Sequence, residues 1–207
     1  MDQKQLPEGF VYVSSLIPDL IEQMRYAGSD NFVGRPVDGY LAPRAVLTLQ
    51  AARALKIAAD DFSLQGLRLL IFDAYRPARA VAHFLRWAAD EKDVKMRALY
   101  YPEISDKADI LKNGYVAARS SHSRGSTVDL TLALADGTPL EMGTGFDYFG
   151  SRAAHGAPGI GSKETANRAL LCRFMISSGF RPYAEEWWHY TLENEPYPDT
   201  YFDFPVE

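Results

Sequence analysis

The sequence predicts an α+β fold, a compact single domain in which a mainly antiparallel sheet is flanked by helices. Three observations predict it. Thr127 to Leu134 alternates between aliphatic and polar side chains, the two-residue period of a strand. Pro43 to Ala59 and Lys163 to Ser178 read instead as helices with apolar residues at helical spacing. Strands and helices then follow one another irregularly rather than as βαβ units, which disfavours a doubly wound parallel sheet.

Taken in order, Leu16 to Ala27 reads as a short helix with Pro18 in its first turn. In Pro43 to Ala59, Leu47, Ala51, Ala54, Leu55 and Ala58 recur at three- and four-residue steps among good helix formers. Gly66 punctuates, and Leu67 to Phe72 reads as a largely buried strand. It runs into Asp73-Ala74-Tyr75-Arg76-Pro77, where Pro77 can start a helix continued by Ala78, Val81, Leu85 and Ala88. In Thr127 to Leu134 the parity sends Val128, Leu130, Leu132 and Leu134 to the core and Asp129 to the opposite face. Asp136-Gly137 closes that strand as a turn. Six glycines between Gly143 and Ser162 predict a long loop, of a kind that is often functional. Ser162 suits the N-cap of the helix Lys163 to Ser178, and Gly179 its end. Trp187 to Leu192, aromatic and β-branched, reads as a strand.

The chain of 207 residues is long enough for one domain over 1–207 with a substantial core. A net charge of -5 without clustered Lys and Arg argues against a nucleic-acid surface. No run approaches the ~18 apolar residues of a membrane helix, and Met1 to Pro7 lacks the apolar core of a signal peptide. A cytoplasmic location is the simplest expectation. The single cysteine, Cys172, permits no intramolecular disulfide and reads as a buried core thiol.

Chemistry concentrates in two segments, Ser121-His122-Ser123-Arg124-Gly125-Ser126-Thr127-Val128-Asp129 and Glu186-Trp187-Trp188-His189. They hold two of the four histidines. His122, Asp129 and His189 offer three ligands for one zinc, with a fourth position left for water, as in hydrolytic rather than structural sites. The alternative is a His and an Asp bonding the backbone of a turn, with His189 a core residue. Glu186 is a candidate base for the proton of an attacking water, or a solvated surface acid like Glu185. Residues three apart face opposite sides of a regular strand, so a catalytic Glu186 requires a turn or bulge there. Arg76, where a strand meets a helix, is a candidate partner for a developing oxyanion, or a salt-bridge residue. Asp73 reads as structural, as does His83 within a helix. His155, in the glycine-rich loop, carries little weight, and Trp187 and Trp188 read as packing on either side of their strand.

Asp-Ala-Tyr-Arg-Pro at 73–77, Ser-Ser-His-Ser-Arg-Gly-Ser-Thr-Val-Asp-Leu-Thr at 120–131 and Glu-Trp-Trp-His-Tyr at 186–190 resemble the zinc D-alanyl-D-alanine dipeptidases, which include the VanX-type enzymes of vancomycin resistance. The resemblance runs from Tyr26-Ala27, Asp30-Asn31-Phe32 and Pro36-Val37-Asp38-Gly39-Tyr40 to the ending Tyr-Phe-Asp-Phe-Pro-Val at 201–206. It implies a fold shared with zinc D,D-carboxypeptidases and the hedgehog signalling domain. It implies one Zn2+ per chain on His122, Asp129 and His189, Glu186 as base and Arg76 as transition-state stabiliser. By the same resemblance Ser120 and Asp147 hold the ammonium end of the dipeptide, and Tyr26 lines the pocket. The implied reaction is hydrolysis of D-Ala-D-Ala to two D-alanines, in glycopeptide resistance or in recycling of cell-wall dipeptide. Rival expectations are a D,D-carboxypeptidase or peptidoglycan endopeptidase with a wider cleft, and a non-catalytic zinc module, which Glu186 and Arg76 together disfavour. Oligomeric state is not legible.

Overall fold

The computed structural model describes residues 6–207; the reading of the first five residues lies outside them. The chain opens with β1 (Phe10–Tyr12), a short β2 (Ile21–Glu22) and β3 (Val46–Thr48), which leads directly into helix α1 (Leu49–Ser63). Strand β4 (Leu67–Asp73) and helix α2 (Ala78–Ala89) follow, then short helices α3 (Arg97–Tyr100) and α4 (Ala108–Lys112). Strand β5 (Thr127–Leu134), helix α5 (Ser162–Ser177) and the hairpin β6 (Phe180–Tyr183) and β7 (Glu186–Leu192) complete it. The main sheet has the order β2-β4-β5-β7-β6, antiparallel except for the parallel β2–β4 edge, and β1 pairs with β3 in a second small sheet. This is the expected α+β architecture.

Sequence expectation and structure part company where tertiary pairing overrides local propensity. Leu16 to Ala27 is not a helix: Ile21 and Glu22 pair with Leu70 and Ile71, and Gln23 N–H donates to Ile71 O. Only Arg25–Ala27 forms a single 3-10 turn. Helix α1 begins at Leu49 rather than Pro43, because Val46 to Thr48 pair with β1 and the Thr48 side chain caps the helix by accepting from Ala51 N–H. Helix α5 begins one residue early, with Gly161 rather than Ser162 at its N-cap, and Gly179 ends it at φ +87. Strand β6 was not expected. Its Arg181-Pro182 step carries no alternation and proline cannot donate to a ladder.

Helices α1 and α5 lie against each other and against the sheet, burying Leu55, Ala58 and Phe62 with Leu171 and Met175. In β5, Val128 through Ala133 are buried in both parities, so both faces of the sheet centre are covered. Leu134, expected inward, is exposed at the strand's end, and Cys172 is half-buried rather than buried. A helix long and apolar enough to cross a membrane is absent among the described residues.

Gly125 sets the entrance to β5. It stands at φ +82, and a Cβ there would run into the Phe10 ring. Its carbonyl accepts from Thr48 N–H at 2.7 Å, joining the turn to the start of α1. Left-handed backbone and a blocked Cβ add for any side chain, so Gly125→Ala is expected to destabilise the protein by about 2–5 kcal/mol. Chemical denaturation of the two proteins side by side measures it.

Candidate metal centre and active site

The centre of the sheet supplies the first two functional side chains. Asp129 on β5 pairs directly with His189 on β7, and cross-strand partners share a face with neighbouring Cβ atoms. Their side chains meet, with His189 Nδ1 3.0 Å from Asp129 Oδ1. His122 comes from the 3-10 turn Ser121–Arg124 that feeds β5. The Nδ1–H of its ring donates to Ala74 O at 2.7 Å, which turns Nε2 toward Asp129 Oδ2 at 3.2 Å. One donor atom from each of the three lies within 4.8 Å of the others.

Two register shifts bring the remaining groups in. Between β4 and β5 the pairing steps from Ile71↔Leu130 to Asp73↔Asp129, so Phe72 is an extra residue and Asp73 is re-aimed beside Asp129. Between β6 and β7 it jumps from Pro182↔Tyr190 to Tyr183↔Glu186. Trp187, Trp188 and His189 thus oppose a single step of β6. This is the irregularity that a converging Glu186 and His189 require, and Glu186 Oε2 lies 3.5 Å from His189 Nδ1. Arg76 donates from Nε to Asp73 Oδ2 at 2.8 Å, and its Nη2 lies 3.5 Å from Asp129 Oδ2. Its guanidinium sits over the rings of Tyr26 and Phe84.

His122, Asp129, His189, Glu186 and Arg76 line one cleft of about 330 Å³, at the small end of ligand-site volumes. Tyr26, Ser120 and Asp147 line it too. Asp147 holds φ +58, a costly conformation for a non-glycine residue, and its buried carboxylate accepts from Tyr26 O–H at 2.8 Å. The Ser120 hydroxyl accepts from His122 N–H at 3.3 Å, capping the 3-10 turn. His155 is outside the cleft lining, and its N–H donates to Ala184 O. His83 serves α2 and its neighbour loop, accepting from Asp38 N–H. Trp187 and Trp188 are both buried, Trp187 donating to Thr144 Oγ1 and Trp188 packing edge-on to Phe146. Arg168, not singled out in the sequence, donates to the carbonyls of Met142, Ala154 and Arg152 and so shapes the loop that presents Asp147.

Electrostatics sort the acids. Burial opposes ionisation of Asp129, but the imidazoles of His122 and His189 outweigh it and hold its carboxyl below the usual range. Burial, together with the Asp129 charge, pushes Asp147 well above it. Glu186, 28% exposed at its side chain, is pushed up to about 7, chiefly by the dry walls of the cleft. Burial lowers the pKa of His122, against the pull of the Asp129 carboxylate. It acts the same way on His189, where the bond to Asp129 and the carboxylate of Glu186 prevail and raise it.

The donor set fits a cation. His122 Nε2 and Asp129 Oδ1 are buried without a well-formed hydrogen bond among the described residues, although carboxylate and imidazole atoms crowd within 3.2 Å. Two imidazoles and a carboxylate, with no thiolate, are the ligand types of hydrolytic zinc.

Comparison with known proteins bears on the whole chain. The family profile described as D-ala-D-ala dipeptidase matches residues 7–207. A D-alanyl-D-alanine dipeptidase of Streptomyces coelicolor is 48% identical, covering 95% of this chain and 98% of its own. One from Enterococcus faecalis is 46% identical over 97% and 100% of the two chains, and one from Escherichia coli 34% over 88% and 83%. This chain belongs to the D-Ala-D-Ala dipeptidase family of peptidases.

Proposed function

We propose that this protein hydrolyses the free dipeptide D-Ala-D-Ala to two D-alanines, using one zinc ion per chain held by His122, Asp129 and His189. The observation that carries the reading is the convergence of those three donors, within 4.8 Å, with Glu186 and Arg76 on the same cleft. Family membership supports the substrate, since the matched relatives are named for it. The unit is one domain over 1–207, supported by the bonds that tie residues 202–206 back to Gly39, Leu41, Ala78 and Ser123.

Zinc, when bound, supplies a Lewis acid that polarises the scissile carbonyl and acidifies water. Glu186 accepts the proton of the attacking water and returns it to the leaving amine. Arg76 donates from its guanidinium to the oxygen that gains negative charge as the carbonyl carbon becomes tetrahedral. Asp147, buried beside Tyr26, receives the free ammonium group, whose charge restores the ionised carboxylate. Ser120, which lines the same cleft, adds a hydroxyl for that ammonium group.

The first test is metal analysis of the purified protein, followed by D-Ala-D-Ala hydrolysis with and without a chelator. Stoichiometric zinc and chelator-sensitive turnover are expected; turnover that survives full metal removal would overturn the reading. Glu186→Ala is expected to keep its zinc and lose about 10²–10⁴-fold in kcat, measured by release of D-alanine. Substantial residual turnover takes the base role from Glu186.

The acid limb of kcat/KM follows from the sign of the Glu186 shift. The base must be ionised, so activity rises with pH through its pKa. The bound cation's charge draws that pKa down from about 7 in the metal-free cleft. The limb is therefore expected at or below about 7; a limb above pH ~8 contradicts the assignment. N-acetyl-D-Ala-D-Ala, which lacks the ammonium for Asp147, is expected to be refused. Comparison of kcat/KM for the blocked and free dipeptides reads this directly.

A further inference from the structure

Arg76 is gripped from behind by a chain of two hydrogen bonds. Its Nε donates to Asp73 Oδ2 at 2.8 Å, and the other oxygen of that carboxylate, Oδ1, accepts from Tyr40 O–H at 2.6 Å. Asp73 is fully buried and Tyr40 is 5% exposed. Each carboxylate oxygen therefore has one assigned donor, which fixes the plane of the carboxylate and with it the direction of the guanidinium. Tyr40 is itself anchored through its backbone. It bridges to Val206, whose carbonyl accepts from Leu41 N–H and Ala42 N–H, while Val206 N–H donates to Gly39 O at 2.8 Å. Asp73 also has an alternative partner within reach, because its Oδ2 lies 3.6 Å from His122 Nδ1.

We propose that Tyr40 is a positioning residue for the peptidase reaction, its hydroxyl locking Asp73 so that Arg76 faces the cleft. The inference rests on the role given to Arg76 above. With the hydroxyl removed, a buried carboxylate oxygen loses its donor and the carboxylate turns to recover one. Arg76 loses its fixed bearing, while substrate and metal keep their own contacts. Transition-state stabilisation suffers more than ground-state binding, because a misaimed donor costs most where charge develops.

Tyr40→Phe keeps the ring, which packs 5.7 Å from Tyr26, and removes one oxygen. In the zinc-loaded variant kcat is expected to fall about tenfold, the usual scale of a hydrogen bond to a charged group. KM should stay within about twofold and zinc content should not change. Combined with Arg76→Lys, the two losses should not multiply, because both act through one guanidinium. A readout independent of turnover is the Arg76 Nε–H resonance, assigned by its disappearance in Arg76→Lys. It should be protected from exchange in the unsubstituted protein and shift, with faster exchange, in Tyr40→Phe. Unchanged kcat, losses that multiply, or a resonance that Tyr40→Phe does not move each overturn the proposal. Should Tyr40→Phe fail to fold, an unprotected Arg76 Nε–H in the parent protein overturns it equally. Failure of the parent to cleave D-Ala-D-Ala would count against the substrate assignment, and the resonance comparison would still decide the role of Tyr40.

Discussion

The site depends on one buried carboxylate. Asp129 is 2% exposed and touches, at its two oxygens, the imidazoles of His189 and His122 and the edge of the Arg76 guanidinium. An ion of that kind in a dry interior costs several kcal/mol unless its partners are held in place. Every neighbouring element is arranged to hold them. His189 is its ladder partner, His122 is fixed by its bond to Ala74 O, and Arg76 is fixed by Asp73. The cleft also contains the acids Asp147 and Glu186, and of the arginines that line it Arg76 reaches Asp129 while Arg124 is paired with Glu195. Burial is what raises the pKa of Asp147 and of Glu186, and a cation brought beside either favours its ionised form.

Convergence is achieved by breaking the sheet twice. A regular ladder would send Glu186 and His189 to opposite faces and keep Asp73 in step with its own strand. The extra residue at Phe72 and the three residues Trp187 to His189 opposite one step of β6 remove both constraints. Such interruptions cost ladder hydrogen bonds, and here the lost order is offset by buried aromatics. Phe72 stacks on Phe146 at 4.8 Å, Trp188 meets the same ring, and Trp187 and Trp188 pack edge to face. The bulges are thus held rigidly rather than left loose, which a site with ångström tolerances requires.

Much of this was legible in the chain and some was not, for physical reasons. The period-2 pattern of β5 sets Asp129 on the face opposite Val128 and Leu130, where it meets His189, while Leu134 at the strand's end escapes the same parity. The need for irregularity at Glu186 followed from parity alone. Its form did not, because a bulge is decided by how β6 meets β7, and the Arg181-Pro182 step hides β6 from any propensity argument. The helix expected over Leu16 to Ala27 failed for a related reason. Two residues of that segment gain more by extending the edge of the sheet beside Leu70 and Ile71 than a solitary short helix could return. Asp73 and Tyr40 are silent in the sequence, since a lone acid and a lone tyrosine carry no spacing signal. Only their shared hydrogen bond, across 33 residues of chain, reveals what they do together.

The C-terminal segment shows why these distant parts behave as one site. Phe202 N–H donates to Ser123 O in the turn that bears His122, and Phe202 O accepts from Ala78 N–H at the start of the helix behind Arg76. Tyr75 O–H donates to Phe204 O, and Val206 closes on Gly39 beside Tyr40. One extended stretch therefore stitches together the imidazole turn, the arginine loop and the tyrosine that steadies it. The spacing between His122 and Arg76 is further set by a direct backbone bond, Arg76 N–H to His122 O at 3.3 Å. Backbone bonds of this kind specify position without depending on side-chain identity. The tail thus meets the arginine loop at three places, at Tyr75, at Ala78 and, through Gly39, beside the tyrosine that bonds Asp73.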